Sequence, residues 1–154
     1  MKKFVFLLSV IIASASASAQ KITKENLPPS VAAAFKAKFS IAEKTTWEMD
    51  YDKYEAEFTV GKGEFSATFD KEGKWLETET YLKPSDLPKA IKEKLSKKYG
   101  ELSGYKIEEA VKAETEKETT YEVDIKRGEI FYELTFDEKG QLLREEKKSD
   151  TKKD

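Results

Sequence analysis

The sequence predicts an α+β protein in which a unit of one helix and about four antiparallel strands occurs twice. The two units share one antiparallel sheet, with both helices on the same face. The first observation behind this is a repeated hairpin. Phe65-Ser66-Ala67-Thr68-Phe69-Asp70-Lys71-Glu72-Gly73 is matched by Tyr132-Glu133-Leu134-Thr135-Phe136-Asp137-Glu138-Lys139-Gly140, at an offset of 67 residues. The second is a repeated helix stripe: Leu27, Val31, Phe35 and Phe39 recur as Leu87, Ile91, Leu95 and Tyr99, at an offset of 60. The third is size. A unit of roughly 60 residues buries a marginal core by itself, whereas two side by side bury both stripes and one face of every strand.

The chain opens with Lys2 and Lys3, an apolar run from Phe4 to Ala13, and the small residues Ala17-Ser18-Ala19. This is the layout of a secretory signal peptide over residues 1–19, with cleavage before Gln20. The run is too short to span a bilayer as a helix. With no cysteine there is neither a disulfide nor a lipid anchor at a lipobox. The expected mature chain is therefore soluble and periplasmic or secreted, with no insertion into the membrane. Its domain spans 20–146, as units of about 22–82 and 83–146. Lys147 to Asp154 reads as a charged, disordered tail.

After a lead-in over Ile22 to Asn26, Leu27-Pro28-Pro29-Ser30 opens the first helix, because proline is tolerated where a helical N–H has no partner. Thr45, Trp47 and Met49 alternate with polar residues, as a half-buried strand requires. Asp50 to Lys53 is a turn; Tyr54, Ala56, Phe58 and Val60 form the next strand; Gly61-Lys62-Gly63 leads into the hairpin. In the hairpin turn, Asp70 can accept backbone N–H bonds and Gly73 can take the positive φ of a type I turn with a bulge. The last strand of the unit runs from Lys74 to about Leu82.

Pro84-Ser85-Asp86-Leu87-Pro88 opens the second helix, with Ser85 or Asp86 as its cap, and Gly100 ends it. Tyr105, Ile107, Val111 and Ala113 read as a longer strand, Glu114 to Thr119 as a loop, and Tyr121, Val123 and Ile125 as the counterpart of Tyr54, Ala56 and Phe58. Arg127-Gly128 turns into the second hairpin. The two offsets differ by seven, so the second unit has seven extra residues between its helix and its second strand.

The chain has no histidine and no cysteine. That removes the His general base, the Cys nucleophile and the usual zinc and copper ligand sets. The Asp-rich hairpin turns lack the oxygen ligands of a calcium loop. No phosphate-cradling glycine loop is present, and Ser103-Gly104-Tyr105-Lys106 lacks the companion motifs of Ser-x-x-Lys enzymes. No catalytic residue, metal or cofactor is expected. A carboxylate-based hydrolase stays open, because glutamate is abundant. After leader removal, 26 basic residues face 30 acidic ones, with no basic patch, so nucleic acid is not an expected partner.

Alternation sends Glu55, Glu57, Glu122, Asp124, Glu133 and Phe131 away from the core. If Leu76 faces inward, Trp75, Glu77, Glu79 and Tyr81 face outward with them. The candidate partner-binding residues are thus Trp75, Tyr81, Phe131, Glu55, Glu57, Glu77 and Glu79, since Trp and Tyr are enriched at binding hot spots.

Leu27-Pro28 and Leu87-Pro88, the strands Tyr54-Glu55-Ala56-Glu57 and Tyr121-Glu122-Val123-Asp124, and the Phe-Asp-x-x-Gly hairpins together resemble the PepSY-like family of β-lactamase-inhibitor-like secreted proteins. The resemblance covers about Ile22 to Glu146. It implies a fold like that of the β-lactamase inhibitor protein, whose sheet face grips an enzyme. No inhibitory motif is matched, and the lack of cysteine departs from that disulfide-bearing inhibitor. The expectation is a non-enzymatic binding module for a protein or peptide, an inhibitor or regulator of an envelope enzyme. A structural or stress-related envelope protein is the alternative. Open sheet edges allow monomer or dimer.

Overall fold

The computed structural model of the protein describes residues 20–100 and 104–149. The leader expected over 1–19, Ser103 and residues 150–154 lie outside them. Nine strands form a single sheet in strict chain order, every neighbouring pair antiparallel. The strands are β1 (Gln20–Ile22), β2 (Glu43–Asp50), β3 (Lys53–Val60), β4 (Gly63–Asp70), β5 (Trp75–Tyr81), β6 (Lys106–Thr115), β7 (Thr119–Arg127), β8 (Ile130–Asp137) and β9 (Leu142–Ser149). Two helices, α1 (Pro29–Lys38) and α2 (Lys89–Tyr99), precede β2 and β6. The expected lead-in is the edge strand β1 and a short 3₁₀ turn, Lys24–Asn26.

The register places both helices on one face. Directly paired residues in an antiparallel sheet point the same way. Phe65 on β4 pairs with Thr80 on β5, and Thr80 with Lys112 on β6. Phe65 packs on the cluster under α1, while Ala110, two residues from Lys112, belongs to the cluster under α2. Both cores therefore lie on the same side.

Under α1, Phe35 sits among Phe39, Trp47, Phe58 and Phe69, with ring centroids 5.0–6.3 Å away. Under α2, Leu87, Ile91, Leu95 and Tyr99 pack on Val123, Ile125, Leu134 and Phe136. Each Leu-Pro step drives its leucine into the core before the helix starts, leaving Leu27 and Leu87 buried. The expected cap at Ser85 or Asp86 is not made. Pro84–Asp86 form a 3₁₀ turn, and α2 begins after Pro88, whose carbonyl accepts from Lys92 N–H.

The hairpin turns form as their residues require. Asp70 Oδ1 accepts from the N–H groups of Glu72 and Lys74 at 3.1 and 2.8 Å, and Asp137 Oδ1 from those of Lys139 and Gln141 at 2.9 and 2.7 Å. Gly73 and Gly140 take φ of 85° and 77°.

Several expectations are corrected. The turn bulge pairs Phe69 with Trp75 and Thr68 with Glu77, so Leu76 is the extra residue. Trp75 therefore packs against the α1 core instead of facing outward. On β6 a second bulge follows Ile107, which shifts Ala110 to the helix side and Val111 and Ala113 to the other face. The loop between β6 and β7 is three residues long, because β6 extends to Thr115. Lys147–Ser149, expected in the charged tail, belong to β9.

Candidate functional site

Both helices cover the same side of the sheet, so the side chains on the other side meet no second layer among the described residues. On that open face, pairing sets residues in rows across the strands. Thr46, Glu57, Ser66, Glu79, Ala113 and Thr120 make one row, and Glu48, Glu55, Thr68 and Glu77 the next. Tyr81, Val111, Glu122, Thr135 and Arg144 make a third, and Glu109, Asp124, Glu133 and Glu146 a fourth.

Burial on this surface, reinforced at some positions by neighbouring carboxylates, perturbs the protonation of its acids. Burial, reinforced by Glu79, Glu57 and Glu48, pushes the Glu55 carboxyl up to about 8; the Ser66 hydroxyl, which donates to Glu55 Oε1, opposes the rise. Burial and then Glu77, Glu122 and Glu109 push Glu79 up to about 7. Burial also raises Glu77, Glu109 and Glu122; Lys53 opposes this at Glu77 and Arg144 at Glu122. The Tyr81 phenol is raised by burial and then by Glu79, Glu109, Glu55 and Glu57.

Glu55, Glu57, Glu77, Glu79 and Tyr81 come together on β3 and β5, on either side of Ser66. Phe131 shares the face, half-buried on β8 opposite Lys126, and so lies apart from them. Trp75 is on the helix side: its Nε1–H donates to Thr78 Oγ1 at 2.8 Å, and Lys38 Nζ stands 3.8 Å from its ring centroid. Sequence alternation missed Ser66, Glu109 and Val111. Ser66 was legible as an outward residue of β4; the other two depended on the β6 bulge.

Grooves flank the sheet. A small one of about 200 Å³ is lined by Phe65, Tyr81, Glu57 and Glu64 among others. A larger one of about 920 Å³ runs between α1, the β1 segment and β2. Phe35, Phe39 and Trp47 line it, with Ala32 and Ala33 on the helix side, Lys24 and Lys36 beside them, and Lys21, Glu48 and Glu57 toward the open face. Glu55 and Glu79 line neither groove. Among the described residues no three Asp or Glu side chains gather as metal ligands, and no helix is long and apolar enough to cross a membrane.

One antiparallel sheet backed by two helices defines a β-lactamase-inhibitor-like architecture, and comparison with known proteins agrees. The chain matches the family model described as "Putative beta-lactamase-inhibitor-like, PepSY-like" over residues 14–59 and 52–144. It belongs to that family. A BLIP-like protein from Bacteroides fragilis superposes with a TM-score of 0.72 at 24% identity, over 83% of this chain and 91% of its own. A DUF2874 family protein from Bacteroides ovatus gives 0.74 at 20% identity, over 83% and 92%. A structure described as putative periplasmic proteins, from Bacteroides eggerthii, gives 0.73 at 18%, over 79% and 88%. At these identities the likeness is one of fold. No functionally curated protein matches the chain.

Proposed function

We propose that the protein is a non-enzymatic binding module, exported by its leader, that holds a protein or peptide with a basic surface against the open sheet face. The observation that supports this is the central patch itself: Glu55, Glu77, Glu79, Glu109 and Glu122, all with raised pKa, beside Tyr81. Burial raises these carboxyls, reinforced by neighbouring acids at Glu55, Glu79 and Glu122, and Lys or Arg side chains from a partner would favour their charged form. Buried Val111 and Ala113 put an apolar floor beside Tyr81. The family's inhibitor-like architecture is in keeping with a sheet face that grips an enzyme. We read the fold as a tandem repeat, with Gly73 and Gly140 as equivalent hairpin turns and the two units joined where β5 pairs with β6.

Affinity capture from an envelope extract tests this reading. The control carries Tyr81→Ala, Glu77→Lys and Glu79→Lys. A basic protein retained by the parent and lost by the control is the expected result. Equal retention by both, or none, would leave the face as a solvated surface and favour a structural envelope role.

A further inference from the structure

The larger groove has a chemistry of its own, distinct from that of Glu55 and Glu79 at the centre of the open face. We propose that the groove between α1 and the β1–β2 edge binds a free single-chain amphiphile with an anionic head, of the alkyl-carboxylate class. Its volume of about 920 Å³ falls in the range of small-molecule sites. Phe35, Phe39 and Trp47 line it, and all three belong to or pack on the α1 core, so the wall is rigid and aromatic.

The helix is built to leave this space open. Residues 31–34 of α1 are Val-Ala-Ala-Ala, where the stripe-matched residues 91–94 of α2 are Ile-Lys-Glu-Lys. Long polar side chains at those places would cover the flank of the helix; alanines leave an apolar channel against Trp47. Ala32 and Ala33 line the groove while Ala34 packs on the α1 core, so an alkyl chain finds a smooth apolar strip where α2 carries Lys92 and Glu93.

Charge sets the head group. Lys24 and Lys36 line the helix side of the groove and are exposed. Lys36 makes no ion pair among the described residues, and the acid beside Lys24 is its chain neighbour Glu25, whose pKa falls through its own backbone hydrogen bond, Thr23 and then Lys24. Glu48 and Glu57 also line the groove, on the open-face side, where Lys21 pairs in register with Glu48. The helix-side end is therefore the cationic one, and an anionic head belongs there with its tail along the aromatic wall.

Trp47 reports on occupancy. The chain has two tryptophans, so a Trp75→Phe background leaves Trp47 as the lone indole. Sodium octanoate, decanoate and dodecanoate, each below its micelle concentration, are titrated into the purified protein while Trp47 emission is followed. The expected result is saturable, with affinity rising roughly fourfold per added methylene. Lys24→Glu with Lys36→Glu should weaken dodecanoate about tenfold while leaving 1-decanol unchanged. Ala33→Phe should abolish both, with far-UV circular dichroism unchanged. No saturable response, dodecyltrimethylammonium binding as well as dodecanoate, or an unchanged dodecanoate affinity in the double variant would each overturn the proposal. So would sedimentation with phosphatidylglycerol vesicles in the absence of any response to dodecanoate, because that is surface adsorption and not filling of the groove.

Discussion

Gly73 stands so close to the start of α1 that a Cβ there would come within 2.6 Å of the Ser30 carbonyl oxygen. The Ser30 hydroxyl in turn donates to the Lys71 carbonyl at 2.8 Å. Gly140 meets α2 in the same way, with a Cβ falling 2.7 Å from Ala90 Cβ. Each hairpin turn is thereby locked against a helix start, which joins the sheet's local chemistry to its packing.

Gly73→Ala and Gly140→Ala should each destabilise the protein by about 3 kcal/mol, from the positive φ and the displaced helix start together. Gly61 and Gly128 also have positive φ, at 59° each, yet a Cβ at either meets nothing within 4 Å. Alanine there should cost only about 1 kcal/mol. Urea unfolding of the four variants separates the two effects; equal losses at all four would mean that the close approach contributes nothing.

Trp75→Ala should cost about 3 kcal/mol, because it empties part of the α1 core and leaves the buried Thr78 hydroxyl without its donor. Lys38→Met, which removes only the cation over the ring, should cost about 1 kcal/mol or less. Neither change should affect partner capture, since both residues lie on the helix side. Loss of capture with the fold intact would put the binding surface on that side instead.

Stability should fall as the solution becomes alkaline. Glu55 and Glu79 hold raised pKa values of about 8 and about 7 in the folded state, so the native protein binds more protons than the unfolded chain between about pH 4.5 and 8. Their favourable contribution is complete below the unfolded pKa and is lost as the pH rises through the folded values. Melting should therefore be several degrees higher at pH 5.5 than at pH 9. Glu55→Gln keeps an acceptor for Ser66 and, with Glu79→Gln, should flatten that profile. A double variant that retains the full alkaline decline would assign it to other groups.

Glu145 has the opposite sign. It reaches from β9 to pair with Lys98 and to accept from Tyr99 Oη at 2.6 Å, and these bonds, the first above all, hold its carboxyl below the ordinary range. Its contribution is present above the unfolded carboxylate pKa and is lost as the pH falls through the folded one. Glu145→Ala should cost about 1–2 kcal/mol at pH 7, since the buried Tyr99 loses its acceptor; Glu145→Gln should cost less than half of that. Chemical denaturation at pH 7 and pH 3 reads both effects, and equal losses for the two variants would rule out the tyrosine bond as the source.

The strands, the helix stripes and the turn positions were legible from one sequence because each depends on local chemistry. Period-two alternation, the Leu-Pro steps and the Asp-to-Gly turns act within a few residues of one another. Local pattern alone thus yields nearly every element, the outward acids Glu55, Glu57, Glu122, Asp124 and Glu133, and the lack of histidine and cysteine. The facing of Trp75, Val111 and Ala113 emerges only in the folded sheet. One bulge residue reverses every later side chain on a strand, and alternation does not show which residue a bulge omits from pairing. Pairing across the sheet then brought Glu55 and Glu79 to either side of Ser66 and raised their pKa values. Those shifts come from burial and neighbouring charge, both properties of residues distant in the chain. The groove beside α1 likewise exists only because β1 folds back along β2, which no local pattern in Gln20–Ile22 records.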